Sequence, residues 1–531
     1  MEQLNKALSD QKENNPVTEE NQRVESPLLL QMRQKFGLYG GISLTFGGAF
    51  ALLFYKAWIG INVFLYSIII ITLLTIIMKK LTSTLKMGTV FYFAGVLLLG
   101  VSSFFTSSDI LLCFNMIGIL LLLDLSLLHQ FYTVSSWEFV NHFGRMIGMV
   151  FVSIACIWMP FSDSINYFKK VRVLKNDLFR NIMIGIIISL PILFITVALL
   201  SNADLLFGSV TKGIFSSILS ADIFWIIFMA LFGMIACYCI ICASLTRVGM
   251  EDKKSFIKAD ASIAATVMTL LCIVYACFCV LQGLYLFTGG FFTLPEKYTF
   301  AEYARRGFFE LMWVTGINIS LMILCRSFFK ESKYLSVLVV FMTVCTYIMI
   351  ASAAYRMILY ISVYHLTFLR LFVLLTLFIE LFVLAGVIIS QYHKNFPLFT
   401  YSVVVVSVCY IAFSIGKPDV WIASYFLNHE KTLNLGDLYF LSSELSLDAA
   451  GIILPVIGDE QRWDNQKVNS GQPDYEIDKY GIELYDSYRD LVNEYYYRID
   501  LANQDIDMRE FNYSNYKAKQ KAIDYPNIVM N

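Results

Sequence analysis

The chain has 531 residues, of which 57% are hydrophobic and 15% are charged, and its formal net charge is −1. Soluble globular proteins contain about 45–50% apolar and about 25% charged residues, so this composition excludes an ordinary soluble protein. The charge balance is not basic, and we expect no nucleic-acid partner.

The start of the chain differs from the rest in being polar. Residues 1–27 lack both the apolar core and the small-residue cleavage site of a secretory signal peptide. They also contain too few apolar residues to offset the entropy of ordering the chain. We therefore predict a disordered cytoplasmic tail over residues 1–30.

Long uncharged apolar runs follow, within residues 31–416. A run of about 18 or more apolar residues is long enough to cross the hydrocarbon core of a bilayer as an α-helix. The sequence therefore predicts an all-α, polytopic transmembrane helix bundle. Its eleven candidate spans are 37–55, 58–78, 88–105, 109–128, 180–200, 221–245, 261–287, 307–326, 334–354, 369–390 and 398–415.

The distribution of lysine and arginine predicts the topology, because these residues accumulate in short cytoplasmic connections. Connections 79–87, 129–179 and 246–260 each carry several basic residues, whereas 56–57 and 106–108 hold one or none. This alternation predicts a cytoplasmic N-terminus. An odd number of spans then places the C-terminal domain on the extracytoplasmic side of the cell membrane.

One further apolar stretch, residues 146–161, tests this count. It is apolar for about 16 residues, shorter than a typical span, and ends at Pro160. If it crossed the membrane, every later connection would change sides and the basic connection 246–260 would face outward. We therefore predict that residues 137–165 form an interfacial or re-entrant segment on the cytoplasmic side.

Four arginines run against the positive-inside pattern because they fall at the predicted extracytoplasmic face. Arg305 and Arg306 precede the eighth span, and Arg356 and Arg370 flank the next extracytoplasmic connection. The planar guanidinium suits bidentate binding of phosphate or carboxylate, so these residues predict a site for an anion or a lipid headgroup. Other polar residues predicted at this site are Glu310, Tyr355, Tyr364, His365, Asp204 and Asp222.

Two ordinary roles would also explain these arginines. Arg306 and Glu310 lie four residues apart, the spacing at which side chains pair on a helix. Arginines near helix ends also reach lipid headgroups as simple anchors. In an anion site the guanidinium groups of spans eight, nine and ten should face one cavity within about 10 Å of each other, near the Debye length. Anchors should instead point toward lipid around the perimeter.

Glu380 lies midway along the tenth span, 369–390. A carboxylate at the bilayer centre costs about 3 kcal/mol on insertion scales, so it needs a partner or a wet cavity. Asn318 on the eighth span is a candidate hydrogen-bond partner. The two residues define a predicted intramembrane polar site.

The sequence gives no sign of a cofactor or a metal. Ten of the eleven cysteines fall in predicted spans, where a small apolar filler is their ordinary role. We find no zinc-protease motif, phosphate loop or nucleotide-binding glycine pattern. We therefore expect no cofactor and no metal site, and we expect membrane lipids as the main partners.

The composition changes after residue 416. Residues 417–531 contain 20 acidic and 11 basic residues. Apolar residues recur at helical spacing over 435–457 and 476–503, and a polar loop lies between them. We predict a small, acidic, helical extracytoplasmic domain over 417–531.

Several stretches resemble landmarks of a bacterial membrane family, domain of unknown function 4173, with the sister family 4153 as the near alternative. They are "YARRGFFE", "AYRM", "KPDVWIASYFL" and "LSSELSLDA", and the resemblance covers roughly residues 180–520. It implies a multi-pass bacterial membrane protein without an established reaction. No catalytic residues can be carried over from it, because none are established for the family.

Two classes of function are consistent with these patterns. The first is a non-enzymatic, transporter-like, lipid-binding or accessory protein that recognises an anionic group at the outer face. The alternative is an intramembrane enzyme acting on a lipid-linked substrate, with Asp204, Glu310 or His365 as acid or base. The sequence has no convergent nucleophile and base motif, which favours the first class.

Overall fold

A computed structural model of the chain describes residues 26–132, 138–170, 222–246, 258–287, 300–393, 395–430, 432–457, 488–504 and 506–525, with Val248 and scattered positions between 185 and 209. The predicted tail up to residue 25, most of the predicted fifth span at 180–200 and the predicted loop after residue 457 lie outside these residues. Every regular element of the described residues is a helix.

The bundle is built from helices that include ten of the predicted apolar runs, together with three shorter helices, Pro27–Gln34, Phe139–Ala155 and Met159–Lys170. They are α1 (Pro27–Gln34), α2 (Phe36–Phe54), α3 (Ile61–Thr82), α4 (Met87–Phe105), α5 (Asp109–Phe131), α6 (Phe139–Ala155), α7 (Met159–Lys170), α8 (Asp222–Leu245), α9 (Ala261–Phe287), α10 (Phe300–Phe328), α11 (Lys333–Tyr364), α12 (Phe368–Tyr392) and α13 (Leu398–Ile415). Within the described part of the chain, ten helices are long and apolar enough to cross a membrane, namely α2–α5 and α8–α13. The prediction of an all-α, multi-pass membrane helix bundle is confirmed.

The spans pack as two groups. In the first group α2, α3, α4 and α5 contact one another in chain order, and α8 packs along α2. In the second group α11 contacts α9, α10 and α12. Helix α13 lies between the groups, against α4 on one side and α12 on the other, and α6 contacts members of both groups.

Two glycines allow the close packing of α2 on α8. A Cβ placed at Gly47 would lie 2.0 Å from the backbone oxygen of Ala230, and one at Gly233 would lie 2.8 Å from the Cα of Gly47. Small residues let membrane helices approach closely, and close approach provides the van der Waals contact that holds such helices together. By contrast, a Cβ at the neighbouring Gly48 would meet nothing within 4 Å.

A helical domain follows α13 and is consistent with the predicted helical stretches. It consists of α14 (Pro418–His429), α15 (Leu435–Tyr439), α16 (Ala450–Ile457), α17 (Tyr488–Leu501) and α18 (Tyr513–Asp524), with a π-helical turn at Phe440–Glu444 and a 3-10 turn at Leu447–Ala449. Leu441, Ile453 and Tyr495 are fully buried in it, and they belong to one hydrophobic cluster with residues of α11 and α12. That this region is a separate domain stays a prediction, and we call it the domain below.

This domain covers one end of the bundle, which we call the domain face. The N–H of Ile61, at the start of α3, donates to the carbonyl of Phe511 at 2.9 Å. Asn512 donates from its side chain to the carbonyl of Thr106 at 2.7 Å, in the connection between α4 and α5. On the second group of helices, His365 Nε2 lies 3.5 Å from Glu430 Oε1. The domain therefore contacts both groups.

The other end of the bundle, the opposite face, is held by contacts between α1, α7, α8 and α9. Arg33 pairs with Asp163 at 2.9 Å, and Lys258 pairs with Glu138 at 2.7 Å. The Ser26 hydroxyl donates to the carbonyl of Leu245 at the end of α8. Residues from the predicted cytoplasmic connections thus gather at one end.

Helices α6 and α7, which contain the uncertain segment 146–161, are bent by 50° relative to each other. At the start of α6, His142 stacks on Phe399 with ring centroids 4.7 Å apart, at the N-terminal end of α13. Beyond its end, the carbonyl of Cys156 lies 3.5 Å from the Cys239 thiol of α8, and Asp163 of α7 pairs with Arg33. These contacts all lie toward the opposite face.

Helix α11 is longer than predicted. It has 32 residues, about 48 Å at 1.5 Å per residue, whereas the hydrocarbon core is about 30 Å thick. The predicted connection 355–370 is therefore helical as far as Tyr364. The apolar sequence "MILYISVY" supports this extension, because nothing in it breaks a helix.

The packing of α2 on α8 yields the first prediction. Gly47→Ala should destabilise the protein by about 1–3 kcal/mol, because the new methyl group meets the backbone of α8. Gly48→Ala is the matched control, and it should leave stability unchanged or raise it by up to about 1 kcal/mol. Thermal unfolding of the purified proteins in detergent measures both. Equal melting temperatures for the two variants would contradict the close crossing.

Candidate functional site

Arg356 lies where α9, α10 and α11 meet near the domain face. Its Nη2 donates to Gln282 Oε1 at 3.3 Å, and the Ser352 hydroxyl donates to the same oxygen at 2.8 Å. Its Nη1 lies over Gly307, where a Cβ would be only 1.7 Å away. The glycine that follows Arg306 therefore gives the Arg356 guanidinium its room against α10.

The backbone places three of the predicted arginines at the same depth. Arg306 is 22 residues before the end of α10, and Arg356 is 23 residues after the start of α11. At 1.5 Å per residue both lie about 33–35 Å from the opposite-face ends of their helices, just beyond a hydrocarbon core of about 30 Å. Arg305 is adjacent on α10, but the side chains of Arg305 and Arg306 lie outside the described residues. Their convergence with Arg356 stays a prediction.

Arg370 turns inward. It is 5% exposed, and its Nη1 donates to the carbonyls of Tyr364 and His365 at the end of α11. Its guanidinium also lies 4.3 Å from the ring centroid of Tyr360. A cation at a helix C-terminus satisfies carbonyls that lack an intrahelical partner and interacts favourably with the helix dipole. The structure therefore gives Arg370 the role of a cap that fixes the turn between α11 and α12.

The other predicted residues of this region lie on exposed surfaces or face the domain. Tyr355 is 54% exposed and Tyr364 is 40% exposed. Glu310 is exposed on α10, one turn from Arg306 toward the bundle centre. His365 has a backbone φ of 64° and lies beside Phe426 of α14, with ring centroids 4.8 Å apart. His365 thus belongs to the contact between bundle and domain.

Asp204 and Asp222 have local partners. The side chain of Asp222, at the start of α8, accepts hydrogen bonds from the Tyr55 hydroxyl and Lys56 Nζ, both at 2.7 Å. Asp204 accepts from the N–H of Phe207 at 2.7 Å. Since α8 packs on α2 in the first group, the structure does not bring Asp222 together with Arg356 in the second group.

Glu380 has a hydrogen-bond partner on α10, but the partner is not the predicted one. The Thr315 hydroxyl donates to Glu380 Oε2 at 2.8 Å. Asn318, one turn further along α10, instead donates to the Thr346 hydroxyl of α11 at 3.1 Å. Both α10 residues are fully buried, as is Thr346. The middle of the second group therefore contains a buried polar seam shared by three helices.

A second polar cluster, which the sequence analysis missed, centres on Asp448 between α16 and the bundle. Its Oδ2 accepts from the Thr106 hydroxyl at 2.5 Å, and its Oδ1 accepts from the N–H of Ser107 at 3.0 Å and from the Ser514 hydroxyl. Lys417 Nζ lies 3.6 Å from Oδ1, and the Asp448 side chain is 1% exposed. We call this cluster the Asp448 hub.

A neighbouring carboxylate extends the hub. Asp419 Oδ2 accepts from the hydroxyl and the N–H of Ser446, at 2.5 and 3.3 Å. Asp419 is 5% exposed, and this burial raises the pKa of its carboxyl above the ordinary value. Lys417 and Asp419 lie in the stretch "KPDVW", and Ser446 and Asp448 lie in "LSSELSLDA". An acidic residue within an apolar stretch was therefore the sequence signal that could have predicted this cluster.

Polar side chains continue from the hub into the bundle between α4, α5 and α13. Asn115 Oδ1 accepts from the hydroxyls of Tyr410 and Ser414, at 2.8 and 2.9 Å. The Ser414 and Ser102 hydroxyls lie 2.7 Å apart. Ser103 accepts from Asn115 Nδ2 at 3.2 Å. This column ties α13 to the first group of helices.

The helix bundle, the covering domain and the buried polar clusters define a multi-pass membrane protein. A family model described as a domain of unknown function, DUF4153, matches residues 93–455, and the chain belongs to that family. The resemblance to family 4173 is not shown, and the match is to the sister family 4153 instead. No curated protein and no solved structure matches the chain.

The raised pKa of Asp419 yields the second prediction. The folded protein binds the Asp419 proton more tightly than the unfolded chain, whose carboxyl has a pKa of about 3.9. The contribution of Asp419 to stability therefore grows as the pH falls through the folded pKa and is lost as the pH rises through it. Asp419→Asn cannot titrate, so wild type should lose melting temperature relative to this variant between about pH 4, near the unfolded pKa, and about pH 7.

Thermal unfolding at the two pH values measures this difference. Asp524→Asn, on the exposed surface of α18, is the matched control for the change in net charge. A wild-type minus Asp419→Asn difference that stays constant with pH would contradict the prediction.

Proposed function

We propose that the protein is a non-enzymatic membrane protein that recognises an anionic group at the domain face, first of all the phosphate of a lipid headgroup. The observation that supports this most is the position of Arg356. Its guanidinium lies against Gly307 on α10, next in sequence to Arg305 and Arg306. Three cations at one level of two packed helices favour a bound counter-anion.

The position of these residues suits a lipid more than a soluble anion. Helices α10 and α11 both extend about a turn or more past the hydrocarbon core at this end, so Arg356 lies at headgroup depth. Tyr355, next to it, is 54% exposed on the surface of α11. Amphipathic aromatic rings are enriched at this level of a membrane. In this site Glu310 would orient Arg306 without occupying the anion position.

The alternative function, an enzyme acting on a lipid-linked substrate, receives less support. Its three proposed acid–base residues lie in separate environments. Asp204 accepts from the N–H of Phe207, His365 faces Glu430 of the domain, and Glu310 is exposed on α10. General acid–base catalysis requires such groups within hydrogen-bond reach of one substrate. We therefore keep the non-enzymatic proposal. In it, Glu380 and Asn318 are the intramembrane polar residues that join helices of the second group.

We also propose that the opposite face is cytoplasmic and that the domain face is extracytoplasmic. The carbonyl of Tyr132, after α5, accepts from Lys86 at the opposite face, whereas Asp222, at the start of α8, bonds Lys56 at the domain face. These contacts support a chain path that crosses the bundle an odd number of times between them. Because α6 and α7 keep their contacts near the opposite face, one crossing after residue 170 gives the predicted eleven spans. Residues 137–165 are then interfacial or re-entrant.

Cysteine labelling tests this orientation. We expect Met508→Cys, which is 88% exposed on the domain face before mutation, to react with an impermeant maleimide on cells stripped of their outer barriers. Thr84→Cys, exposed in the connection between α3 and α4, should react only after lysis. The unaltered chain serves as the blank for the native thiols. The reverse pattern would overturn the orientation.

Lipid binding tests the proposed function. Arg356→Gln should weaken retention of phosphatidylglycerol by about tenfold, because hydrogen bonds to charged groups contribute about 1.5–3 kcal/mol. Gly307→Leu should act in the same way, since its side chain displaces the guanidinium. Native mass spectrometry of the purified protein, titrated with phosphatidylglycerol or phosphatidylcholine, measures both variants.

Lys56→Gln is the control, because it removes an exposed cation from the same face. It should retain phosphatidylglycerol as the wild type does. If Arg356→Gln and Lys56→Gln behave alike, the arginines are anchors and the proposed function is wrong.

A further inference from the structure

A cavity of about 120 Å³ lies at the opposite end of the bundle from Arg356, where α6 crosses α5 and α8. Helix α5 contributes Leu128 and its capping residue Tyr132, and α8 contributes Ala243 with the adjacent Thr246. The cavity has an apolar floor and opens at the level where the spans end. The proposed function gives this cavity no role.

Two glycines on α6 create this space. Gly144 and Gly148 both line the cavity and lie one helical turn apart. A Cβ at either position would meet nothing within 4 Å. The neighbouring helices therefore do not fill the volume that a side chain would occupy, which leaves a groove along α6.

Helix α6 also carries an exposed apolar stripe. Phe143, Ile147, Phe151 and Ile154 are 43–68% exposed and recur at helical spacing. Such a stripe on a membrane protein faces acyl chains. The groove along α6 is therefore next to lipid as well as to the ends of the spans.

One cation, Arg145, lines the cavity, and a second, Lys86, bonds the backbone of the lining residue Tyr132. The Arg145 guanidinium carbon lies 5.2 Å from the centroid of the Tyr132 ring. Lys86 Nζ donates to the carbonyls of Tyr132 and His129, at 2.7 and 2.9 Å. The nearest acid along α5 is Asp124, eight residues before Tyr132 and therefore about 12 Å deeper along the helix axis. The rim thus carries positive charge and the floor is apolar.

We propose that this cavity binds the phosphate of an anionic phospholipid. Arg145 binds the phosphate at the rim, and the start of an acyl chain follows the groove beside Gly144 and Gly148. The cavity volume of about 120 Å³ accommodates a phosphate group. Basic pockets between helices at the cytoplasmic side are suited to anionic headgroups. This site is separate from the proposed function, since it uses other helices at the other end of the bundle.

The test compares variants of the full-length protein in the Arg356→Gln background, so that the proposed domain-face site contributes least. Arg145→Gln removes the charge, and Gly148→Leu fills the cavity at a position where a Cβ meets no neighbour. Lys80→Gln is the matched charge control, an exposed cation at the same face. Gly48→Leu is the matched glycine control, since a Cβ there also meets nothing within 4 Å.

The probes are phosphatidylglycerol, phosphatidylcholine and inorganic phosphate, and binding is measured by native mass spectrometry. We expect Arg145→Gln and Gly148→Leu each to lose one bound phosphatidylglycerol, with affinity at least tenfold weaker, while both controls retain it. Equal retention of phosphatidylcholine would overturn the assignment of an anionic ligand. Displacement of phosphatidylglycerol by equimolar inorganic phosphate would overturn the assignment of a lipid and identify free phosphate as the ligand.

Retention of phosphatidylglycerol by both site variants at wild-type affinity would overturn the site itself. Should one of these variants fail to fold, Gly144→Leu, one turn away on α6, replaces it with the same expected loss. If the proposed function is wrong, Arg356→Gln binds as the wild type does, and the comparison at Arg145 can still be read independently.

Discussion

A chain that crosses hydrocarbon must satisfy every backbone amide and carbonyl within the crossing segment, and this constraint shapes the protein from end to end. It makes each span a helix, and it also directs the polar side chains inside the spans. The hydroxyls of Ser43, Ser67 and Thr343 each donate to a carbonyl four residues earlier in the same helix. The remaining polar groups must find partners on neighbouring helices, as Glu380 does with Thr315. Buried polarity therefore marks the places where helices are joined.

The same constraint moves charge to the two ends of the bundle, where it holds the helix groups together. At the domain face the Asp448 hub joins the domain to the connection between α4 and α5, while His365 and Glu430 join it to the second group. At the opposite face α6 contacts both groups, and Lys258 pairs with Glu138 just before it. Among the described residues, the domain thus bridges the two groups at one end and α6 does so at the other, in addition to α13 between them.

Hydropathy predicted the spans well, because an apolar run of membrane length is a local property of the sequence. The extra turns of α11 were missed because the charge of Arg356 suggested that the span ended there. The residues around it contain nothing that breaks a helix. The role of Arg370 depends on the turn at His365 folding back onto it, and the charge pattern does not encode that geometry. The Asp448 hub was harder still, because Thr106 and Asp448 are 342 residues apart in sequence. A single sequence gives no pairing signal over that distance.

Of the two proposed anion sites, the one at Arg145 lies on a bridging element and the one at Arg356 lies within the second group, and this determines what a bound lipid could do. A ligand changes the arrangement of two helix groups only if it binds one arrangement more tightly than another. Arg145 is on α6, which touches both groups, so a phosphate held there contacts a bridging element directly. Arg356 contacts α9 and α10 from within the second group, so a phosphate there stabilises that group internally. Lipid at the opposite face is therefore better placed to affect how the two groups pack against each other, whereas lipid at the domain face is better placed to stabilise one of them.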